Sequence, residues 1–406
     1  MSRGTICTDG LSTPKKARAL DEQKGKLMVR IIHTADVHLG KVFEQFGSFG
    51  SQLRTQVKKT FQTVLEVGGK ERVDAVVLAG DVFDSDRIAI GDIRFFMDVV
   101  SSIKPVPVLF LPGTWSHDSI FQKAIFRSHQ FLDGKPANLC VFTRESPETF
   151  KVASGELAIH GCAILPDTDN PLDGISPDPK VRFNVGLLHT GVALPQIPQE
   201  TTRGILKREH LEGCGLDYIA LGDWHSFRRY FEDAKTVVQY SGSPETLSFG
   251  EDSGYVALVT LGSGPPSVEK REVGHYKWQE LNLSLDVLGS VAALKEQVSP
   301  LAGPKTILRI KAAGSISDKN SVDWERFRNE ISPWFAHLDL DTSQVREELP
   351  LERLKQVYRE NTVQRAFVTL VELALDTAQS DSEKQRLQEA LRRGHALFQG
   401  YEEVML

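Results

Sequence analysis

No run of apolar residues in this 406-residue chain approaches the roughly 18 that carry a helix across a bilayer, so no membrane span is expected. Cysteine is scarce: Cys7, Cys140, Cys162 and Cys214 lie far apart and form no Cys-x-x-Cys pair. That spacing argues against a zinc ribbon or a disulfide framework and fits a reducing, cytoplasmic setting. Basic residues do not predominate either. Against 48 Lys and Arg stand 54 Asp and Glu, a formal net charge of −6. The chain is therefore no polycation, and contact with nucleic acid would need local basic patches or bound cations. Residues 1–27 have neither the apolar stretch of a secretory leader nor any periodicity, and read as a disordered tail. Internal repeats and low-complexity tracts are lacking.

What is present is ordinary in bulk, with 40% hydrophobic and 25% charged residues. A chain of this kind buries real cores. From Val29 a rhythm of strands and helices begins. Val29–Thr34, Asp74–Ala79 and Pro107–Leu111 are apolar, β-branched runs that predict buried strands. Between them, Leu53, Val57, Phe61, Val64 and Leu65 recur at helical spacing, and Ile88–Ile103 reads as a second helix. Strand–helix alternation of this kind is the signature of a parallel βαβ sheet. Further strands are expected at Leu139–Phe142, Thr149–Val152, Leu157–Cys162, Phe183–His189, Asp217–Leu221, Val237–Tyr240 and Tyr255–Leu261.

The informative pattern is where Asp and His fall. Asp36-Val37-His38 follows the first strand, and Gly80-Asp81-Val82-Phe83-Asp84 the second. Gly113-Thr114-Trp115-Ser116-His117-Asp118 follows the third. His189 ends a later strand, and Gly222-Asp223-Trp224-His225 follows the next. Ligands of open α/β sheets bind beyond the carboxyl ends of strands, so these five loops should converge. Imidazoles and carboxylates together suit manganese, iron or zinc. A carboxylate such as Asp81 can bridge two ions, and two ions activate a shared water while clamping an in-line displacement at phosphorus. Taken singly, each pair is a common turn or helix cap. Taken together and in order, the five are hard to assign to chance. Trp115 and Trp224 would either pack in the core or stack on bases, and Arg228 and Arg229 would either be solvated or contact phosphate.

These motifs resemble the calcineurin-like metallophosphoesterases. The stretch Tyr240-Ser241-Gly242-Ser243-Pro244-Glu245-Thr246 with Phe249-Gly250 narrows the resemblance to SbcD-type DNA-repair nucleases, over about Val29 to Leu261. The resemblance implies an αββα sandwich of two mixed sheets and hydrolysis of DNA phosphodiesters, exo- or endonucleolytic, by a metal-bridged hydroxide. It implies two divalent ions, manganese first and iron, zinc or magnesium as alternatives. Asp36, His38, Asp81 and His225 would hold one ion, and Asp81, His189 and Asp223 the other. His117 would be the acid and Asp118 its orienting partner. Two positions depart from the family pattern: no Asn stands between Gly113 and His117, and Asp223 occupies a place usually held by His. A second ion bound more weakly than the first is the expected result. The same site would serve a phosphatase or cyclic-nucleotide phosphodiesterase, and a degenerate scaffold subunit is the non-enzymatic alternative.

The expected organisation is a phosphoesterase domain over 28–275, a small α/β accessory module over 276–345 and a helical tail over 346–406. Val363, Phe367, Leu370, Val371 and Ala374 form one apolar stripe in the tail. Leu387, Leu391, Gly394 and Phe398 form another, opened by a Ser380/Glu383 capping box. The stripes would pack on each other as a hairpin. The resemblance implies instead that they dock on a coiled-coil SMC-like ATPase, with DNA and a second copy of the chain as further partners.

Overall fold

The computed structural model describes residues 5–6, 28–85, 88–113, 129–144, 146–163, 169–193, 204–285, 291–317, 322–348 and 351–398. Trp115, His117 and Asp118 fall outside these residues. The chain divides into two compact units, Met1–Trp278 and Gln279–Leu406, so that the small module and the helical tail share one unit.

Strands of the first unit are β1 (Thr5–Ile6), β2 (Val29–Thr34), β3 (Ala75–Ala79), β4 (Val108–Leu111), β5 (Leu139–Val141), β6 (Glu148–Val152) and β7 (Leu157–Gly161). They continue with β8 (Phe183–His189), β9 (Tyr218–Gly222), β10 (Arg228–Glu232), β11 (Val237–Tyr240), β12 (Tyr255–Leu261) and β13 (Ser267–Glu272). Its helices are α1 (Ser48–Lys70), α2 (Ile90–Ser102) and α3 (His129–Gly134). Two mixed sheets result, one ordered β1-β6-β7-β8-β9-β11-β10 and the other β13-β12-β2-β3-β4-β5. Within the second sheet β2, β3, β4 and β5 run parallel. Within the first, β7, β8, β9 and β11 do.

Every residue of β3, β7, β8 and β9 is buried, as parallel strands covered on both faces require. One set of side chains, including Ile31, Val77, Leu109, Ile159, Val185 and Ala220, fills the layer between the sheets. The opposite face of the six-stranded sheet is covered by α1, whose Leu53, Val57, Phe61, Val64 and Leu65 are all buried as the spacing predicts. Phe61 stacks on Phe96 of α2, which in turn meets Phe110 of β4. Loop residues Leu172, Leu206, Leu211 and Leu216 cover Leu188, Ile219 and Val238 on the outside of the seven-stranded sheet.

One expectation fails here. Cys140 is disulfide-bonded, whereas neither Cys162 nor Cys214 forms a disulfide, and Cys7 lies outside the described residues. Sequence separation is no measure of the spatial distance that decides pairing.

In the second unit, β14 (Lys277–Ser284), which starts just before the division, β15 (Gly303–Ser317) and β16 (Phe335–Glu348) form a three-stranded sheet. Helices α4 (Val291–Val298) and α5 (Trp324–Ile331) connect them and bury Leu294, Val298, Phe327 and Ile331 against Leu283, Leu308 and Ile310. The tail comprises α6 (Leu351–Val357), α7 (Val363–Thr377) and α8 (Asp381–Phe398). Thr362 Oγ1 caps α7 by accepting from Arg365 N, and Ser380 Oγ accepts from Glu383 N as the capping box predicts. Helices α7 and α8 pack as a hairpin, with Phe367 and Phe398 edge to face, and Tyr358, just after α6, hydrogen-bonds His395 Nδ1 of α8 at 2.6 Å. The α7 stripe differs from the expected one. Val368 and Val371 are buried, while Val363 and Leu370 point outward. No described helix is long and apolar enough to cross a membrane.

Candidate metal centre

Four strand ends supply the site. Beyond β2 and β3 the two chains remain paired past the sheet. Asp36 N donates to Gly80 O (3.1 Å), His38 N to Asp81 O (3.0 Å) and Leu39 N to Val82 O (2.8 Å). His189 closes β8, and Asp223, Trp224 and His225 follow β9. Asp36, His38, Asp81 and Asp223 have φ of 52°, 52°, 44° and 102°. A non-glycine residue in this region costs about 1–3 kcal/mol. Burying one large apolar side chain contributes roughly 1.5–3 kcal/mol. The inter-sheet layer holds far more than four such side chains, so it outweighs the strain and keeps the ligands in place.

Glycines let the ligands close in. A Cβ on Gly80 would stand 2.0 Å from His189 Nδ1, and one on Gly113 would stand 1.9 Å from Asp81 Oδ1. One on Gly222 would stand 1.8 Å from Ala79 O and 2.8 Å from His189 Nδ1. These are the glycines of the Gly-Asp and Gly-Thr motifs, and they leave the carboxylates and imidazoles room to converge.

Two sets of donor atoms result, each within 4.8 Å of one another: Asp36, His38 and His225; and Asp36, Asp81 and His189. His38 Nε2 and His225 Nε2 face each other at 3.3 Å. His189 Nδ1 donates to Ala79 O (2.9 Å) and lies 3.9 Å from Asp36 Oδ1, while Nε2 lies 3.5 Å from Asp81 Oδ2. Asp223 belongs to neither set, but its backbone N–H donates to both oxygens of Asp36, at 3.1 and 3.3 Å.

The electrostatics are those of a crowded anionic site. Burial raises the Asp36 carboxyl against the pull of His189, His225 and His38. Burial also raises Asp223, reinforced by Asp36 and Asp81 and opposed by His189. For His189 burial works the other way, but the hydrogen bond and charge of Asp81, with the charge of Asp36, overcome it and raise the ring to about 9. Asp81 is correspondingly held below the usual range, burial being outweighed by His189.

A divalent ion fits the donor set. His38 Nδ1 is engaged by Asp84 and His225 Nδ1 by Glu251, which leaves both Nε2 atoms turned to one point. With bonds of about 2.0–2.1 Å and a tetrahedral angle, two donors of one ion stand roughly 3.3–3.4 Å apart. The 3.3 Å between the ring nitrogens agrees.

The structure thus brings together Asp36, His38, Asp81, His189 and His225, with Asp223 alongside. Trp224 packs partly buried, tilted on Tyr240 at 6.0 Å, with the Arg228 guanidinium over its ring at 4.7 Å. Arg228 and Arg229 open β10 at the edge of the seven-stranded sheet, both exposed, and Arg229 pairs with Glu232. Two carboxylates in contact with the histidines, Asp84 and Glu251, drew no role from the sequence. The only signal for Asp84 is the second acid of its Gly-Asp-x-x-Asp run, and for Glu251 its place directly after Phe249-Gly250.

Residues 29–227 match the family described as calcineurin-like phosphoesterase. The chain is 24% identical over 349 residues to the DNA double-strand break repair protein Mre11 of Sulfurisphaera tokodaii, covering 80% of this chain and 85% of that protein. It is 26% identical over 360 residues to the SbcD component of the SbcCD nuclease of Bacillus subtilis, covering 81% and 82%. With the Mre11 protein of Methanosarcina mazei the identity is 27% over 254 residues, which covers 60% of this chain but only 38% of that longer protein. Among solved structures, a dimetal phosphatase from Danio rerio aligns over 60% of this chain and 99% of its own, with 12% identity and a TM-score of 0.36.

Proposed function

From the premise that this chain carries a calcineurin-like phosphoesterase domain over residues 29–227, we propose that it is a two-metal phosphodiesterase that cleaves DNA in repair. The observation that carries the reading is the pair of donor sets joined at Asp36, with two imidazole Nε2 atoms aimed at one point. In this reading Asp36, His38 and His225 hold one ion, Asp81 and His189 hold the second with Asp223, and Asp81 reaches both. Two bound divalent cations, manganese first, would lower the pKa of a shared water and stabilise both oxygens of an in-line displacement at phosphorus. The protein's own part is to hold the ligands in their strained loops, to present exposed Arg228 and Arg229 to phosphates, and to protonate the leaving oxygen from His117, oriented by Asp118. The names of the relatives, one component of a nuclease and double-strand break repair proteins, support DNA over a small phosphoester.

The tail supports a partner. Helix α7 turns one apolar face to α8, while Val363, Leu370 and Leu373 lie 76%, 67% and 59% exposed on another. An apolar helix face of that kind suits a second helical surface. A coiled-coil ATPase is the partner proposed, in keeping with a relative named as one component of a larger nuclease.

The test is manganese-dependent cleavage of single- and double-stranded DNA beside a small phosphoester. Preferential DNA cleavage supports the reading. Turnover of the small ester or a cyclic nucleotide alone makes the protein a phosphatase or phosphodiesterase, and metal binding without turnover makes it a scaffold.

A further inference from the structure

Behind the first donor set stand two carboxylates that the proposed function leaves without a task. His38 Nδ1 lies 3.0 Å from Asp84 Oδ1, and His225 Nδ1 lies 2.9 Å from Glu251 Oε1. An ionised carboxylate only accepts, so each ring carries its proton on Nδ1 and presents Nε2 as a lone pair. With both rings neutral, the two lone pairs face each other at 3.3 Å, and a cation between them satisfies both.

The two carboxylates are not held alike. Among the described residues, the side chain of Asp84 has one flexible partner besides His38, the Lys41 ammonium at 3.4 Å. Glu251 is gripped by its own loop: Oε2 accepts from the backbone N–H of Leu247 (3.1 Å) and Ser248 (3.2 Å) and from Ser253 Oγ (3.5 Å). Ser248 Oγ adds a bond to Oε1 at 3.1 Å. Four donors thus fix the carboxylate that fixes His225. Glu251 contributes no atom to either donor set.

We infer that Glu251 is a positioning residue: it locks His225 in the Nδ1–H form and aims Nε2, and so sets how tightly the first donor set takes a divalent cation. The inference rests on the reading that this set holds a metal. A partner of this kind typically changes metal affinity by about 10–100-fold when lost, because it orients the ring and raises its basicity. Glu251→Gln is the informative change. With its oxygen toward His225, the amide NH2 would confront the Leu247 and Ser248 N–H donors. Flipped, it would donate to Nδ1 and drive the ring proton to Nε2.

The experiment uses the full chain, stripped of metal, as wild type, Glu251→Gln, His225→Ala and the double variant Ser248→Ala/Ser253→Ala. Manganese binding is measured by calorimetry. Histidine 15N spectra of the metal-free proteins, at a pH where the ring is neutral, read the His225 tautomer. The expected result is wild-type binding, a loss of about 10–100-fold in Glu251→Gln, a larger loss in His225→Ala, and in the double variant a loss smaller than that of Glu251→Gln, because it removes two of the four donors that hold Glu251 but keeps the carboxylate on His225. The wild-type tautomer should be Nδ1–H. A Glu251→Gln affinity within twofold of wild type, or a wild-type ring protonated on Nε2, overturns the inference. The tautomer reading holds even if the variant fails to fold. Wild-type protein that binds no manganese overturns the metal reading itself, a separate outcome.

Discussion

Asp36, His38 and Asp81 sit in left-handed backbone because the loops after β2 and β3 stay hydrogen-bonded to each other beyond the sheet. That pairing holds their side chains where the donor atoms meet those of His189 and His225. Asp81 makes the strongest test of the two-ion reading. Asp81→Ala is expected to leave almost no bound transition metal by elemental analysis; retention of one ion would transfer the bridging role to Asp36, which both donor sets share. Gly222→Ala should be worse than a surface change, since its Cβ would stand 1.8 Å from Ala79 O, a backbone atom that cannot swing away. A loss of about 1–3 kcal/mol in urea unfolding, as for other overpacked sites, is expected together with weaker metal binding. The ligand residues were legible because each follows an apolar strand directly. Glu251 was not: its partner lies 26 residues earlier, and a single Glu in a polar loop carries no periodicity.

Among elements, the buried strands were read within a residue or so because both faces are apolar. The polar edge strands β10 and β13 were not, although the apolar edge strand β5 was. β10 reads Arg-Arg-Tyr-Phe-Glu and β13 Ser-Val-Glu-Lys-Arg-Glu, mostly exposed segments whose strand character comes from pairing with β11 and β12 and not from alternation. Strand β16 and helix α5 escaped for a related reason, being polar along most of their length. In the tail, α7 carries apolar residues on two sides, so a single stripe drawn through Val363 and Leu370 mixes the face that packs with the face that does not. The pair Leu370→Lys/Leu373→Lys should therefore leave thermal stability within about 0.5 kcal/mol of wild type and abolish co-purification with a coiled-coil ATPase. Val371→Ala, on the buried side, should instead destabilise by about 1 kcal/mol. If the lysine pair unfolds the tail, the outward face is structural.

At the scale of the whole first unit, the two sheets are tied by a buried imidazole. His33 of β2 accepts from the Tyr218 hydroxyl of β9 at 2.8 Å and donates from Nε2 to Leu221 O at 3.2 Å. Burial lowers its pKa from 6.5 to about 3, although the bond to Leu221 opposes this. The folded state then refuses a proton that the unfolded chain accepts between those values. Stability from this residue is complete above pH 6.5 and is lost as pH falls toward 3. At about 1.4 kcal/mol per unit, the loss is on the order of 5 kcal/mol. Urea midpoints taken from pH 7 to pH 4 should fall less steeply in His33→Gln than in wild type, though the variant starts lower. Equal slopes would assign acid sensitivity elsewhere.

The ligands come from opposite sides of the sandwich: Asp36, His38 and Asp81 from the six-stranded sheet, His189, Asp223 and His225 from the seven-stranded one. An ion held by both is a rivet between two plates. At a free concentration 100 times its dissociation constant it adds about 2.7 kcal/mol to the native state, and its ligands on both sheets oppose the sliding of one over the other. Amide exchange at the carboxyl ends of β2, β3, β8 and β9 should slow together when manganese is added, with the distant ends little changed. A preparation in which the sheets have slipped would lose its ions before it loses its secondary structure, so metal content gauges sheet register where circular dichroism cannot.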